Sequence, residues 1–241
     1  MATKTLVIGH RGASARAPEN TLSAFALALD AGADGVECDL RATADGVPVV
    51  IHDARVDRTT DGSGEIARMA LAEVRSLDAS GGNPDYRGER IPTLAELLAL
   101  VAGRGLLVLE YKSLAAVAPS APIVRAVGAA SWCAAWSFRP EILAALRDTV
   151  PEVSRSLLVG TSDDLEGQIE VARSLGCVGI SLRQDLVNVE QVGAARDLGL
   201  RVYAWTADDP ADWRRLIADA VDGIVTNDPQ GLRQLLPRDG G

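Results

Sequence analysis

The sequence predicts an α/β chain folded as a (β/α)8 barrel (TIM barrel), with an antiparallel β-hairpin at the rim and a small cap insertion. Three observations carry this expectation. Short, almost continuously apolar runs recur along the chain, as strands covered on both faces must be. Helical patterns lie between them, and the alternation repeats about eight times, which favours a closed barrel over an open sheet. The 241 residues match the usual size of one such barrel, and no Pro- or Gly-rich linker divides them, so residues 1–241 are expected to form a single domain.

Strands are expected at Thr5–Gly9, Gly35–Leu40, Val47–His52, Leu106–Glu110, Cys133–Ser137, Ser154–Val159, Cys177–Leu182, Arg201–Trp205 and Gly223–Thr226. That is one more than a barrel needs. Only Arg41–Gly46 separates the second and third runs, too little for a parallel crossover, and Ala44-Asp45-Gly46 is a turn signal, so these two runs should form the hairpin. A turn centred between Ala44 and Asp45 sets Leu40 opposite Val49 and Glu37 opposite His52, at the rim where barrel active sites lie. Residues 53–92 are rich in Asp, Arg and Gly, hold one short helical pattern at Leu71–Leu77, and read as the cap. Among the helix starts, Thr93 to Glu96 forms a capping box, while Asp209-Pro210 and Asp228-Pro229 each pair a capping Asp with a Pro whose missing N–H costs nothing there.

A net charge of −9 argues against nucleic-acid binding, which normally needs a clustered basic footprint. An anionic small molecule remains compatible, provided that a metal or a few placed Arg and Lys supply a local positive field. The cysteines Cys38, Cys133 and Cys177 are odd in number and far apart, and read as reduced core residues. The first ten residues lack a signal-peptide core and no run is long enough to span a bilayer, so a cytoplasmic protein without stable membrane insertion is expected.

Chemistry concentrates between Leu6 and Asp53, which holds both histidines of the chain. Strand residues two apart share a face, so Glu37 and Asp39 point together while Cys38 turns away, and Glu110 shares a face with Lys112. If both pairs face inward, three carboxylates converge, and buried carboxylates that close require a cation. A hard divalent ion with oxygen ligands, Mg2+ or Ca2+, is the expected partner, and zinc is disfavoured because no His- or Cys-rich spacing occurs. His10 and His52 are the candidate general acid and base, since imidazole titrates nearest neutral pH. Arg11 suits bidentate capture of a phosphate oxygen, and Lys112 can bind the same phosphate as a point charge or pair with Glu110. Asn20 is either a plain helix cap or part of the site. Trp205 can line a substrate pocket, whereas Trp132, Trp136 and Trp213 read as core or helix-packing residues.

Several segments in this order resemble the glycerophosphodiester phosphodiesterases: HRG at His10–Gly12, PENT at Pro18–Thr21, ECD at Glu37–Asp39, VVIHD ending at Asp53, DRTTDGSG at Asp57–Gly64, IPTLAELL at Ile91–Leu98, EYK at Glu110–Lys112, SF at Ser137–Phe138, WT at Trp205–Thr206 and DGIVTNDP at Asp222–Pro229. The resemblance implies a barrel with a small insertion, one divalent metal, and hydrolysis of a small-molecule glycerophosphodiester to sn-glycerol 3-phosphate and an alcohol. By position it implies that His10 and His52 are the acid–base pair, Glu37, Asp39 and Glu110 the metal ligands, and Arg11 and Lys112 the phosphate contacts. The chain departs from the family pattern with Tyr111 inside EYK, expected to face away from the site, and with Asn227 where an acidic residue is common. It also departs in Ser113–Ala130, whose Pro119 and Pro122 predict a truncated helix.

Three other readings are weaker. A lysophospholipid or phosphoinositide substrate needs an apolar groove or membrane-facing surface, and no basic amphipathic helix is evident. An aldolase-like Schiff-base role for Lys112 leaves the three carboxylates unexplained. A non-catalytic barrel that binds a phosphorylated metabolite is permitted by the fold alone.

Overall fold

Nine strands form one sheet in the computed structural model, which describes residues 4–161 and 163–236: β1 (Leu6–His10), β2 (Gly35–Ala42), β3 (Pro48–Val50), β4 (Leu106–Tyr111), β5 (Cys133–Ser137), β6 (Ser154–Val159), β7 (Gly179–Arg183), β8 (Arg201–Trp205) and β9 (Gly223–Thr226). They run in the order β1-β9-β8-β7-β6-β5-β4-β2-β3, and pairing of β1 with β2 closes the eight parallel strands into a (β/α)8 barrel. The helices are α1 (Leu22–Asp30), α2 (Leu71–Ser76), α3 (Leu94–Val101), α4 (Val117–Ala126), α5 (Pro140–Thr149), α6 (Leu165–Ser174), α7 (Val189–Asp197), α8 (Pro210–Ala218) and α9 (Pro229–Leu235). Strands buried on both faces account for the continuous apolar runs. One face, with Cys38, Leu109 and Ile180, packs under the helices, while the other, with Ile8, Val108, Trp136, Leu158, Tyr203 and Val225, fills the barrel.

Helix starts follow their chemistry. Thr93 and Glu96 close the capping box of α3, and Asp209 and Asp228 cap α8 and α9, each with Pro at the first position. The expected truncation after β4 does not occur: α4 has ten residues, with a 3₁₀ turn at Leu114–Ala116 leading into it. Pro119 lies in its first turn, where an N–H is dispensable, and the loss at Pro122 is offset by burial of Val117, Ala121 and Val124. Tyr111 does face outward, its hydroxyl meeting Ser120 Oγ at 2.8 Å. The three cysteines are buried free thiols.

The rim hairpin forms with a register one residue from that expected. Leu40 lies opposite Val50 and Arg41 opposite Val49, and β3 ends before His52. The cause is a three-residue loop, Ala44-Asp45-Gly46, closed by Thr43 and Val47 (N to O 3.0 Å) with Gly46 at φ 78°. This odd-length turn, with Gly in the left-handed region, adds one residue relative to a two-residue turn. His52 therefore does not sit opposite Glu37 but lies beyond the end of β3, just before the cap segment.

The cap segment, 53–92, has a small core of its own. Val56, Ile66, Val74, Ala79 and Ile91 pack on Val49 and Ile51 of the hairpin. Among the described residues no helix is long and apolar enough to cross a membrane.

Candidate active site

The turn that ends β1 sets the first side chains. His10 is the last strand residue, and Arg11 (φ 54°) and Gly12 (φ 85°) then reverse the chain in left-handed conformations. A Cβ on Gly12 would come within 2.4 Å of the Ala24 carbonyl carbon, so only glycine fits where the turn packs on α1. Arg11, a non-glycine in that region, is the kind of strained residue that clusters at functional sites. Its backbone N–H donates to Glu37 Oε2 (3.1 Å).

Sheet register assembles the acids. His10 pairs with Glu37 across β1 and β2, and Asp39 pairs with Glu110 across β2 and β4. One oxygen from each of Glu37, Asp39 and Glu110 lies within 4.8 Å of the others, and all three residues are buried. Three carboxylate oxygens here are buried, Glu37 Oε1, Asp39 Oδ1 and Glu110 Oε1, and the first of them has no polar partner. The Lys112 ammonium lies beside two of them, 3.1 Å from Asp39 Oδ1 and 2.5 Å from Glu110 Oε1, and Arg11 Nε is 3.2 Å from Asp39 Oδ2. Asn20, buried and at φ 59°, donates to Asp39 Oδ2 (2.8 Å), and its Oδ1 accepts from the Asp39 N–H (3.3 Å). Its role is thus in the site, and Thr21 is the helix cap.

Burial, with Asp39 and Glu110 nearby, raises the Glu37 carboxyl well above its ordinary range. Burial and Asp39 push Glu110 up to about 7. At Asp39 burial acts in the same direction, but Lys112 and Arg11 outweigh it and hold this carboxyl below its usual value. Three buried acids facing two fixed cations, with one carboxylate oxygen still unpartnered, fit a hard divalent cation by the chemistry of the donor set.

The histidines have different surroundings. His10 Nδ1 is 2.7 Å from Asn227 Oδ1, and its Nε2 is 4.0 Å from Glu37 Oε2. Burial and then Arg11 lower its pKa, opposed by Asn227, Asp39 and Asp208. His52 is half-buried, with Nδ1 2.7 Å from Asp53 Oδ1. Burial lowers its pKa too, against Asp39 and Asp53. Arg58 of the cap segment links the two halves of the site. It donates to Asp53 (Nε to Oδ2, 2.7 Å) and through both Nη atoms to Glu19 (2.7 and 2.8 Å), while Glu19 accepts from Arg11 (2.9 Å). The Arg58 hydrogen bond, then that from His52, holds the Asp53 carboxyl well below its usual range.

A cavity joins these groups: His10, Arg11, Glu37, His52, Glu110 and Lys112 line it together with Trp136, Phe138, Leu158, Trp205, Thr206 and Val225. Trp205 donates through Nε1 to the Ser181 carbonyl (3.0 Å) and stands edge-on to Phe138 at 5.2 Å between centroids. Every candidate side chain from the sequence thus reaches this cavity or the carboxylate cluster at its edge. Sequence reasoning missed the partners Asp53, Arg58 and Asn227; Trp136 is a core residue as expected, and it also lines the cavity. DRTTDGSG and TNDP were noticed, but nothing local tells which distant side chain Arg58 or Asn227 meets.

The model of the glycerophosphoryl diester phosphodiesterase family matches residues 10–231. A glycerophosphodiester phosphodiesterase of Caldanaerobacter subterraneus subsp. tengcongensis is 36% identical over 250 residues, which covers 98% of this chain and 100% of that protein. The crystal structure of glycerophosphodiester phosphodiesterase from Agrobacterium tumefaciens superposes with a TM-score of 0.87 at 32% identity, over 96% of this chain and 100% of that one. An Oleispira antarctica phosphodiesterase in complex with the product sn-glycerol-3-phosphate gives a TM-score of 0.88 at 31% identity, over 96% of each chain. With its barrel closed around the two histidines and three carboxylates, and matched over nearly its whole length, the chain belongs to the glycerophosphoryl diester phosphodiesterase family.

Proposed function

We propose that this protein hydrolyses glycerophosphodiesters to sn-glycerol 3-phosphate and an alcohol, with residues 1–241 acting as one barrel domain under its cap. The observation that carries the reading is the convergence of His10, His52, Arg11, Lys112 and the three acids on one cavity of a chain in this family. The phosphodiester lies between the imidazoles. Arg11 and Lys112 take the charge of its non-bridging oxygens, and the electrostatic field they set stabilises the more highly charged transition state. One imidazole removes the proton of the nucleophile, and the other protonates the departing alkoxide. Asp53, itself held by Arg58, orients His52, and the aromatic wall of Trp136, Phe138 and Trp205 keeps water from the rest of the cavity.

Glu37, Asp39 and Glu110 are the ligands for one divalent cation, Mg2+ or Ca2+. When bound, that ion supplies Lewis-acid polarisation of the phosphate and neutralises its charge. A cytoplasmic setting belongs to the same proposal and is supported by three buried free thiols. The test is turnover of glycerophosphocholine and glycerophosphoethanolamine in chelator, Mg2+ and Ca2+ in parallel, for the parent protein and for Asp39→Asn. Metal-dependent turnover lost in the variant supports the reading. Equal turnover in chelator overturns the metal assignment, and metal-dependent binding without turnover of any phosphodiester restores the non-catalytic barrel.

A further inference from the structure

The Nδ1 side of His10 is occupied by groups from two other strand ends. Asn227 follows β9, and Asp208 lies in the loop after β8, so the contact joins the ends of three neighbouring strands, β1, β9 and β8. Asp208 Oδ1 accepts from Thr226 Oγ1 (3.0 Å) and from the Asn227 backbone N–H (2.7 Å), and its Oδ2 accepts from Asn227 Nδ2 (2.6 Å). An ionised carboxylate offers only lone pairs, so the amide can meet it only through its NH2 group. With Nδ2 committed to Asp208, Asn227 Oδ1 is fixed as the acceptor facing His10 Nδ1 (2.7 Å) and the Ser14 hydroxyl (2.7 Å). The flipped amide would set its oxygen against the Asp208 carboxylate, two acceptors face to face, and lose that bond.

We propose that Asp208 and Asn227 form a relay that fixes the His10 tautomer, with Asn227 the positioning residue: Nδ1 always carries a proton, and Nε2 is the atom that exchanges one with substrate. The inference rests on the reading of His10 as an acid–base group. It assigns Asn227 work that a carboxylate would do differently. A neutral amide aims the ring without adding a charge beside it, and the charge of the relay sits one residue further back, on Asp208. The Ser14 hydroxyl lies between Asn227 Oδ1 and the His10 carbonyl (2.8 Å), sharing its one proton between two acceptors, and so ties the amide to the turn after β1.

The test is the ring 15N–1H correlation spectrum of histidine-labelled protein at a pH where the rings are neutral. The chain has two histidines, so His52→Gln leaves His10 alone in the spectrum. The relay predicts the Nδ1–H pattern in the parent protein. In Asn227→Ala, and in Asp208→Ala where no contact to His10 has been removed, it predicts movement towards the Nε2–H form. With glycerophosphocholine, kcat should fall about 10- to 100-fold in both variants with KM changed less than about threefold, short of the roughly 10²- to 10⁴-fold effect of deleting an acid–base group. An Nε2–H pattern in the parent protein, an unmoved Nδ1–H pattern in both variants, or parent kcat in both overturns the relay. The spectrum needs no turnover, so it decides the tautomer even if the protein fails to hydrolyse glycerophosphocholine; that failure would count against the catalytic reading alone.

Discussion

Asn20 shows how a buried contact and a strained backbone can be separated by experiment. Its amide bonds to Asp39 through both donor and acceptor, and its φ of 59° lies where asparagine is tolerated better than alanine. Asn20→Ala removes a hydrogen bond to a fully buried carboxylate, which is worth about 1.5–3 kcal/mol. It also places alanine in the left-handed region at a further cost of about 1–2 kcal/mol. The combined loss is about 2.5–5 kcal/mol, which for a chain of this size lowers Tm by roughly 5–20 °C. Asn20→Gly loses the same bond without the φ strain, offset in part by the extra freedom of its unfolded chain of about 0.5–1 kcal/mol, so it should unfold between Ala and the parent protein. Both variants loosen Asp39 and should raise the metal concentration for half-maximal activity about 10- to 100-fold. Thermal and urea unfolding in chelator read the first effect, and metal titration of turnover reads the second. Unfolding of Ala and Gly within about 0.5 kcal/mol of the parent protein, the range of surface substitutions, would refute the reasoning.

Other outcomes follow from the same geometry. His10→Gln and His52→Gln should each lower kcat by about 10²- to 10⁴-fold, and a folded variant with full turnover removes that ring from the mechanism. Arg58→Ala deletes an exposed pair network, worth only about 1 kcal/mol of stability, yet releases both Glu19 and Asp53. Its kcat/KM should fall with Tm nearly unchanged, and parent kcat/KM would show that the clasp does not position Arg11 or His52. Lys112→Met leaves Arg11 as the fixed cation nearest the three acids, so saturating Mg2+ or Ca2+ should raise Tm more in this variant than in the parent protein. An equal rise would mean that Lys112 does not share charge neutralisation with the cation.

Nearly all of the barrel is legible in the sequence because doubly covered strands must be apolar throughout, and turns and caps then bound them. The same property hides which face looks inward. Cys133–Ser137 is buried along its whole length, so nothing local says that Trp136 lines the cavity. The hairpin register failed at one residue, Gly46, whose left-handed conformation makes the loop odd. Pro119 and Pro122 misled in α4 because burial outweighs propensity there. In the site, residue type and two-residue spacing suffice for Glu37, Asp39, Glu110 and Lys112, which share strand ends. Asn227 meets His10 across 217 residues and Arg58 meets Glu19 across 39, and such pairs arise only when the barrel and cap close.

The most direct test follows the phosphorus. In a 31P NMR time course with glycerophosphocholine and saturating Mg2+ or Ca2+, one phosphomonoester resonance, that of sn-glycerol 3-phosphate, should grow as substrate is lost, and chelator should stop it. Appearance of phosphocholine, meaning cleavage on the glycerol side, or no phosphomonoester under any metal, would contradict the account.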